Sequence, residues 1–181
     1  KLSNYADGLY INFKHTGEIS TDQLKSLGIE YSLIGHYERI RDFKESAITI
    51  NDKLIAALDS NIFPILCFGE DIDENYREEL PKQLDKYLKD VQNIEFIIFA
   101  YEPIYAIGTG TLPNKEKIKE IINVIKEYLE EKFKTKPRIL YGGSVDSGNI
   151  EDILNLDIVD GILLGDLSSN IKEVERIINK I

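Results

Sequence analysis

Residues 95–110 read EFIIFAYEPIYAIGTG, and the fold turns on how the first six are read. EFIIFA is a continuous apolar run rich in β-branched and aromatic side chains, the pattern of a strand buried on both faces in a parallel sheet. Glu102 then stands at that strand's carboxyl end, between Tyr101 and Pro103. Pro103 fixes its own φ and keeps the residue before it out of the helical region, so the backbone carrying Glu102 is stiff where the strand stops. The segment Ala106-Ile107-Gly108-Thr109-Gly110 is small, uncharged and twice punctuated by glycine, which suits a loop that moves or brings backbone N–H groups close to a ligand. A rigid acid beside a loose loop is a catalytic arrangement. It is also the pattern of a strand-terminal glutamate that caps a neighbouring helix.

Outward from this strand the chain alternates. Ser20-Thr21-Asp22-Gln23 predicts a capping-box helix ending near Gly28, followed by a strand over 29–35 (IEYSLIG). Asn51 is expected to cap a helix carrying Leu54, Ile55 and Leu58, before a strand over 61–68 (NIFPILCF) and a charged helix over about 72–91. After Pro113 and Asn114 comes the strongest helical pattern, with Ile118, Ile121, Ile122, Ile125 and Leu129 on one face. A strand over 138–141, a helix over 147–156 and a strand over 158–164 follow. An amphipathic helix over 168–181, with Ile171, Val174, Ile177, Ile178 and Ile181, closes the chain. Alternating strands and helices predict an α/β fold with a parallel sheet, whose ligands sit at the strands' carboxyl ends. No linker or shift of composition divides the 181 residues, so one domain over 1–181 is expected.

The composition, 43% hydrophobic and 30% charged, suits a globular chain with a sizeable core. A formal net charge of −10 argues against nucleic acid or an anionic membrane as partner. It leaves room for a small anionic substrate in a locally positive site. No apolar run approaches the ~18 residues of a membrane span, and no signal segment is read at the start. The single cysteine, Cys67, allows no intramolecular disulfide and fits a reducing compartment, so a cytoplasmic protein is expected. Its strand-like setting makes it a packed thiol rather than a nucleophile. There is no methionine, and Lys1 does not read as a translation start, so the chain is expected to be processed or part of something longer.

Polar residues and glycines gather where strands are expected to end: Gly35-His36-Tyr37-Glu38-Arg39, Gly69-Glu70, Tyr101-Glu102-Pro103, Tyr141-Gly142-Gly143-Ser144 and Gly165-Asp166-Leu167-Ser168. His36 suits a general acid or a neutral hydrogen-bond donor, and Glu102 a base. Taken alone, a histidine is better explained by a structural hydrogen bond. The glycine turns each precede a helix, aiming backbone N–H groups at an anion without a lysine, although a plain strand-to-helix turn uses glycine too. Together they suggest a phosphorylated small molecule with one base and one electrophile at its carbon skeleton. Two histidines without ligand spacing predict no metal, and no cofactor is expected. Ser144 in YGGSV lacks the nucleophile-elbow pattern, and His15 has no clear setting.

Residues 101–110, with IGHYERI, PILCFGE, YGGSV, DGILLGDLS and HTGEIS at 15–20, resemble the motifs of triosephosphate isomerases in the same order. The resemblance covers essentially the whole chain. It implies a (β/α)8 barrel and the interconversion of glyceraldehyde 3-phosphate and dihydroxyacetone phosphate. It makes Glu102 the base and His36 the electrophile. Backbone N–H groups of Gly108, Ser144, Gly165 and Asp166 would hold the phosphate. The flap would comprise Pro103, Ile104, Tyr105, Ala106, Ile107, Gly108, Thr109, Gly110 and Thr111, latched by Tyr141 and Ser144. Glu38 and Cys67 would be supporting residues. Thr16, Gly17, Glu18 and Arg39 would belong to the interface of a homodimer, with Glu18 paired to Arg39.

The same comparison marks departures. Such a barrel takes about 250 residues, and the five strands read here match the family's fourth to eighth. The first three strands, with an Asn-x-Lys element whose lysine supplies positive charge, are not read; Asn12-Phe13-Lys14 repeats the spelling outside a strand context. Five strands of a barrel leave two open edges, so the isolated chain is expected to fold poorly. Tyr37 stands where the family has a serine, Tyr105 where it has a tryptophan, and Asp166 where it has a second glycine. A carboxylate 4 Å from a phosphate costs about 1 kcal/mol in water. These changes admit a second function, a non-catalytic relative that binds phosphometabolites or a partner chain. A barrel acting on another sugar phosphate is a third.

Overall fold

The computed structural model describes residues 18–109 and 113–181. In chain order the elements are α1 (Thr21–Ser26), β1 (Tyr31–Ile34), α2 (Tyr37–Phe43), α3 (Ala47–Asp59), β2 (Phe63–Phe68) and α4 (Tyr76–Tyr87). β3 (Ile98–Tyr101), α5 (Lys115–Phe133), β4 (Arg138–Tyr141), α6 (Ile150–Leu154), β5 (Gly161–Ile162) and α7 (Ile171–Ile178) follow. The capping box is present: Ser20 Oγ accepts the Gln23 N–H, and the Gln23 side chain accepts the Ser20 N–H. No helix among the described residues is long and apolar enough to cross a membrane.

Several elements depart from their sequence patterns. Ser46, not Asn51, caps α3, accepting the Thr49 N–H. Asn51 lies inside the helix, where its amide donates to the carbonyls of Tyr87 and Lys89 at 2.8 Å. The run EFIIFA divides: residues 94–96 form one 3-10 turn after the left-handed Asn93, and the strand is Ile98–Tyr101. The strand expected over 158–164 shortens to Gly161–Ile162, because the Asp160 side chain takes the Ile139 N–H that a strand neighbour would otherwise accept. The closing helix is shorter than its pattern, and Ile171, Ile178 and Ile181 are 83%, 64% and 76% exposed while Glu173 is buried.

The contacts resolve two compact units: the described residues up to Phe68 with Lys82–Ile98, and Gly69–Pro81 with Phe99–Ile181. In the first, β1 and β2 run parallel with Tyr31 opposite Phe63 and Ile34 opposite Leu66. α3 packs on them with Ile50, Leu54 and Ala57 fully buried. Glu45 and Lys53 form a buried ion pair, with Arg39 Nε 3.5 Å from Glu45 Oε1. In the second unit, β4 and β5 run parallel with Tyr141 opposite Ile162. The Gly142 N–H donates to the Tyr101 carbonyl at 2.9 Å, which sets the carboxyl end of β3 beside that of β4. Asn114 caps α5, whose Ile118, Ile121, Ile122, Ile125 and Leu129 are all buried, each side chain stabilising the fold by roughly 1.5–3 kcal/mol.

Candidate active site

Glu102 follows the last residue of β3 and is 3% exposed. Two glycines make its place. A Cβ on Gly69 would stand 1.8 Å from the Glu102 carbonyl oxygen, so only a residue without a side chain lets the two backbones approach. A Cβ on Gly142 would stand 2.9 Å from Glu102 Cγ and 3.2 Å from its Oε1. The carboxylate thus passes over the bare backbone that follows β4.

The segment after Glu102 is tied at defined points. Pro103 is buried and leads a 3-10 turn, Ile104–Ala106. The Ile104 N–H donates to the Glu70 carbonyl at 2.9 Å. The Ala106 carbonyl accepts from Ser144 Oγ at 2.5 Å and from Thr109 Oγ1 at 3.3 Å. Gly108 has φ +69° with open space around it, Ile107 is half-buried and Thr109 is exposed. Gly110 and Thr111 lie outside the described residues.

Ser144 has φ +45°, uncommon for a residue with a side chain. The side-chain amide of Asn149 donates to its carbonyl at 2.9 Å. Tyr141 is fully buried, and a Cβ on Gly143 would stand 2.6 Å from its hydroxyl. Gly165 and Asp166 are exposed at the start of a 3-10 turn, where a Cβ on Gly165 would meet nothing within 4 Å.

Glu70 stands among the strand-end residues but received no role from sequence. It is 3% exposed, and Tyr101 donates its hydroxyl to Glu70 Oε1 at 2.9 Å. Burial pushes its carboxyl above the ordinary carboxylate range, and the Tyr101 hydrogen bond pulls it partly back. Burial likewise raises the phenols of Tyr101, Tyr105 and Tyr141, with the Glu70 charge adding to each. Asn149 was also missed; its contact with Ser144 is made within a turn by a side chain five residues on, which leaves no mark on periodicity.

In the first unit, His36 is the N-cap of α2, and its Nδ1 accepts the Glu38 N–H in a long hydrogen bond of 3.4 Å. A neutral ring whose Nδ1 accepts carries its proton on Nε2. Glu38 Oε2 lies 3.9 Å from the same Nδ1. Gly35, at φ +75°, has space for a Cβ only 3.1 Å from the carbonyl of Cys67, whose thiol is buried. The Arg41 guanidinium lies over the Tyr37 ring, 4.9 Å from its centroid, which holds that ring along α2. Arg39 Nη2 is 4.0 Å from Glu18 Oε1, and its guanidinium covers the Phe43 ring. Thr16 and Gly17 lie outside the described residues. Among the described residues no group of three or more His, Cys, Asp or Glu is placed to hold a metal ion.

The family model for triosephosphate isomerase matches residues 12–181. The triosephosphate isomerase of Alkaliphilus oremlandii (strain OhILAs) is 38% identical over 183 residues, covering 96% of this chain and 72% of the relative. That of Francisella tularensis subsp. mediasiatica (strain FSC147) is 38% identical over 188 residues, covering 99% and 72%. That of Clostridium tetani (strain Massachusetts / E88) is 37% identical over 186 residues, covering 96% and 73%. The parallel strand–helix units described above are therefore part of a (β/α)8 barrel, and the chain belongs to the triosephosphate isomerase family.

Proposed function

We propose that the chain interconverts glyceraldehyde 3-phosphate and dihydroxyacetone phosphate by proton transfer through an enediolate, with Glu102 as the base. The observation that carries this is the setting of Glu102: a buried carboxylate at a strand end, with two glycines clearing its backbone and side chain. Its carboxylate takes the proton from the carbon beside the carbonyl. The C–H electron pair becomes a C=C bond, and the carbonyl oxygen gains the negative charge. His36 donates from Nε2 to that oxygen, which spreads the charge without an imidazolium. Passing the enediolate's remaining hydroxyl proton to the charged oxygen, and returning the first proton from Glu102 to the neighbouring carbon, completes the exchange of aldehyde for ketone.

The phosphate is assigned to the N–H groups of Gly108, Ser144, Gly165 and Asp166, and the flap to residues 103–111 with Tyr141 and Ser144 as latch. A closed flap excludes water and keeps the enediolate from expelling phosphate. Glu38 and Cys67 support the His36 turn. A homodimer contacting through Thr16, Gly17, Glu18 and Arg39, a cytoplasmic setting and one partial barrel domain over 1–181 complete the proposal. Two substitutions suggest a non-catalytic relative: Tyr37, whose ring lies beside Arg41, at the position after His36, and Asp166 in the turn assigned to the phosphate. The test is isomerisation by the full chain, wild type against His36→Gln. The expected result is a kcat lower by about a hundredfold or more with KM little changed. An unchanged kcat would count against the role of His36.

A further inference from the structure

We propose that Asn149 is a positioning residue for the phosphate subsite, its amide pinning Ser144 in the backbone conformation that aims the Ser144 N–H at the substrate. The inference rests on the reading of Ser144 as a phosphate ligand. Ser144 sits at φ +45°, where a side chain crowds its own backbone, and it follows two glycines that lend the chain no stiffness. Something downstream must hold it there. Asn149 Nδ2 donates to the Ser144 carbonyl at 2.9 Å, while Asn149 Oδ1 accepts the Asp146 N–H at 3.0 Å. Asp146 Oδ1 in turn accepts the N–H groups of Gly148 at 2.7 Å and Asn149 at 3.0 Å.

The turn is braced from a second side as well. The Ser147 N–H donates to Glu173 Oε1 at 2.7 Å, and Arg176 Nη1 donates to Glu173 Oε2 at 2.9 Å, both from α7. These bonds fix where Asn149 stands, and its amide passes that placement to Ser144. With its carbonyl gripped, Ser144 presents its hydroxyl to the Ala106 carbonyl. One side chain thereby sets both the phosphate N–H and the latch on the flap.

Asn149→Asp keeps an acceptor for the Asp146 N–H and loses the donor to Ser144, so it separates positioning from the shaping of the turn. In the full chain it should raise KM for glyceraldehyde 3-phosphate and the inhibition constant of inorganic phosphate by about five- to tenfold, the loss of one buried hydrogen bond, with kcat falling less. Ser144→Gly adopts positive φ unaided, so Asn149→Asp should add little in that background. A merely electrostatic effect of the new carboxylate would persist there. An unchanged inhibition constant overturns the proposal, including one accompanied by a lower melting temperature; so does an equal loss in the Ser144→Gly background. A folded wild-type chain whose isomerisation phosphate does not inhibit overturns the reading of Ser144, and this inference with it.

Discussion

A methyl group on Gly142 would stand 2.9 Å from Glu102 Cγ, so the aim of the buried carboxylate depends on the missing side chain of its neighbour. Gly142→Ala should push Glu102 aside while leaving the elements around it in place. Displacing a reacting group by an ångström costs on the order of a hundredfold in rate. Isomerisation kinetics should show kcat down by roughly ten- to a hundredfold, with a near-normal circular dichroism spectrum.

Asp166 brings a carboxylate to the turn assigned to the phosphate, where it is exposed. Asp166→Gly should lower KM for glyceraldehyde 3-phosphate by up to about fivefold, since two charges 4 Å apart interact by about 1 kcal/mol in water. The gain should shrink as salt is added, because exposed charges are screened. A KM that does not move would place this carboxylate away from the substrate.

Glu70 should make stability depend on pH in the direction opposite to an ion-paired acid. Burial raises its pKa, so the folded protein holds the proton more tightly than the unfolded chain does. That contribution is complete below the ordinary carboxylate value of about 4.3 and is lost as pH rises through the folded value. Glu70→Gln stays neutral and still accepts from Tyr101. Its melting temperature should gain on the wild type with rising pH, as melting curves across that range will show.

Glu173 carries the opposite sign. Hydrogen bonds from Ser147, and then from Arg176, hold its carboxyl down at about 2. The stability it brings is complete above the ordinary carboxylate pKa and is lost as pH falls from there to about 2. Glu173→Gln should unfold at lower denaturant than the wild type near neutral pH. The two midpoints should converge in acid; a gap that persists unchanged to about pH 2 would remove the charge from the explanation.

How much of this was legible depended on what each residue answers to. The buried stripe of α5 and its Asn114 cap follow from spacing and local hydrogen bonding, and the structure has both. β4 also falls on its expected residues, 138–141. Asn51 misled because its side chain serves two distant carbonyls and Ser46 had already capped the helix. The isoleucines of the closing helix show the right period, yet period alone does not tell which of them is buried. At the strand ends, the places of Glu102 and Ser144, just after β3 and in the turn that follows β4, accord with their motifs. Glu70 and Asn149 draw their importance from contacts 31 and 5 residues away in sequence, made in space by a buried phenol and a left-handed turn.

The most direct measurement of the central claim is deuterium uptake from D2O into the carbon skeleton of dihydroxyacetone phosphate, followed by NMR for the folded full chain and for Glu102→Gln. The wild type should exchange the proton beside the carbonyl as it forms glyceraldehyde 3-phosphate. In Glu102→Gln both exchange and isomerisation should fall by at least about a hundredfold, the lower range for a lost general base. Exchange at a similar rate in the two proteins, or none in a folded wild type, would contradict the assignment of Glu102 as the base.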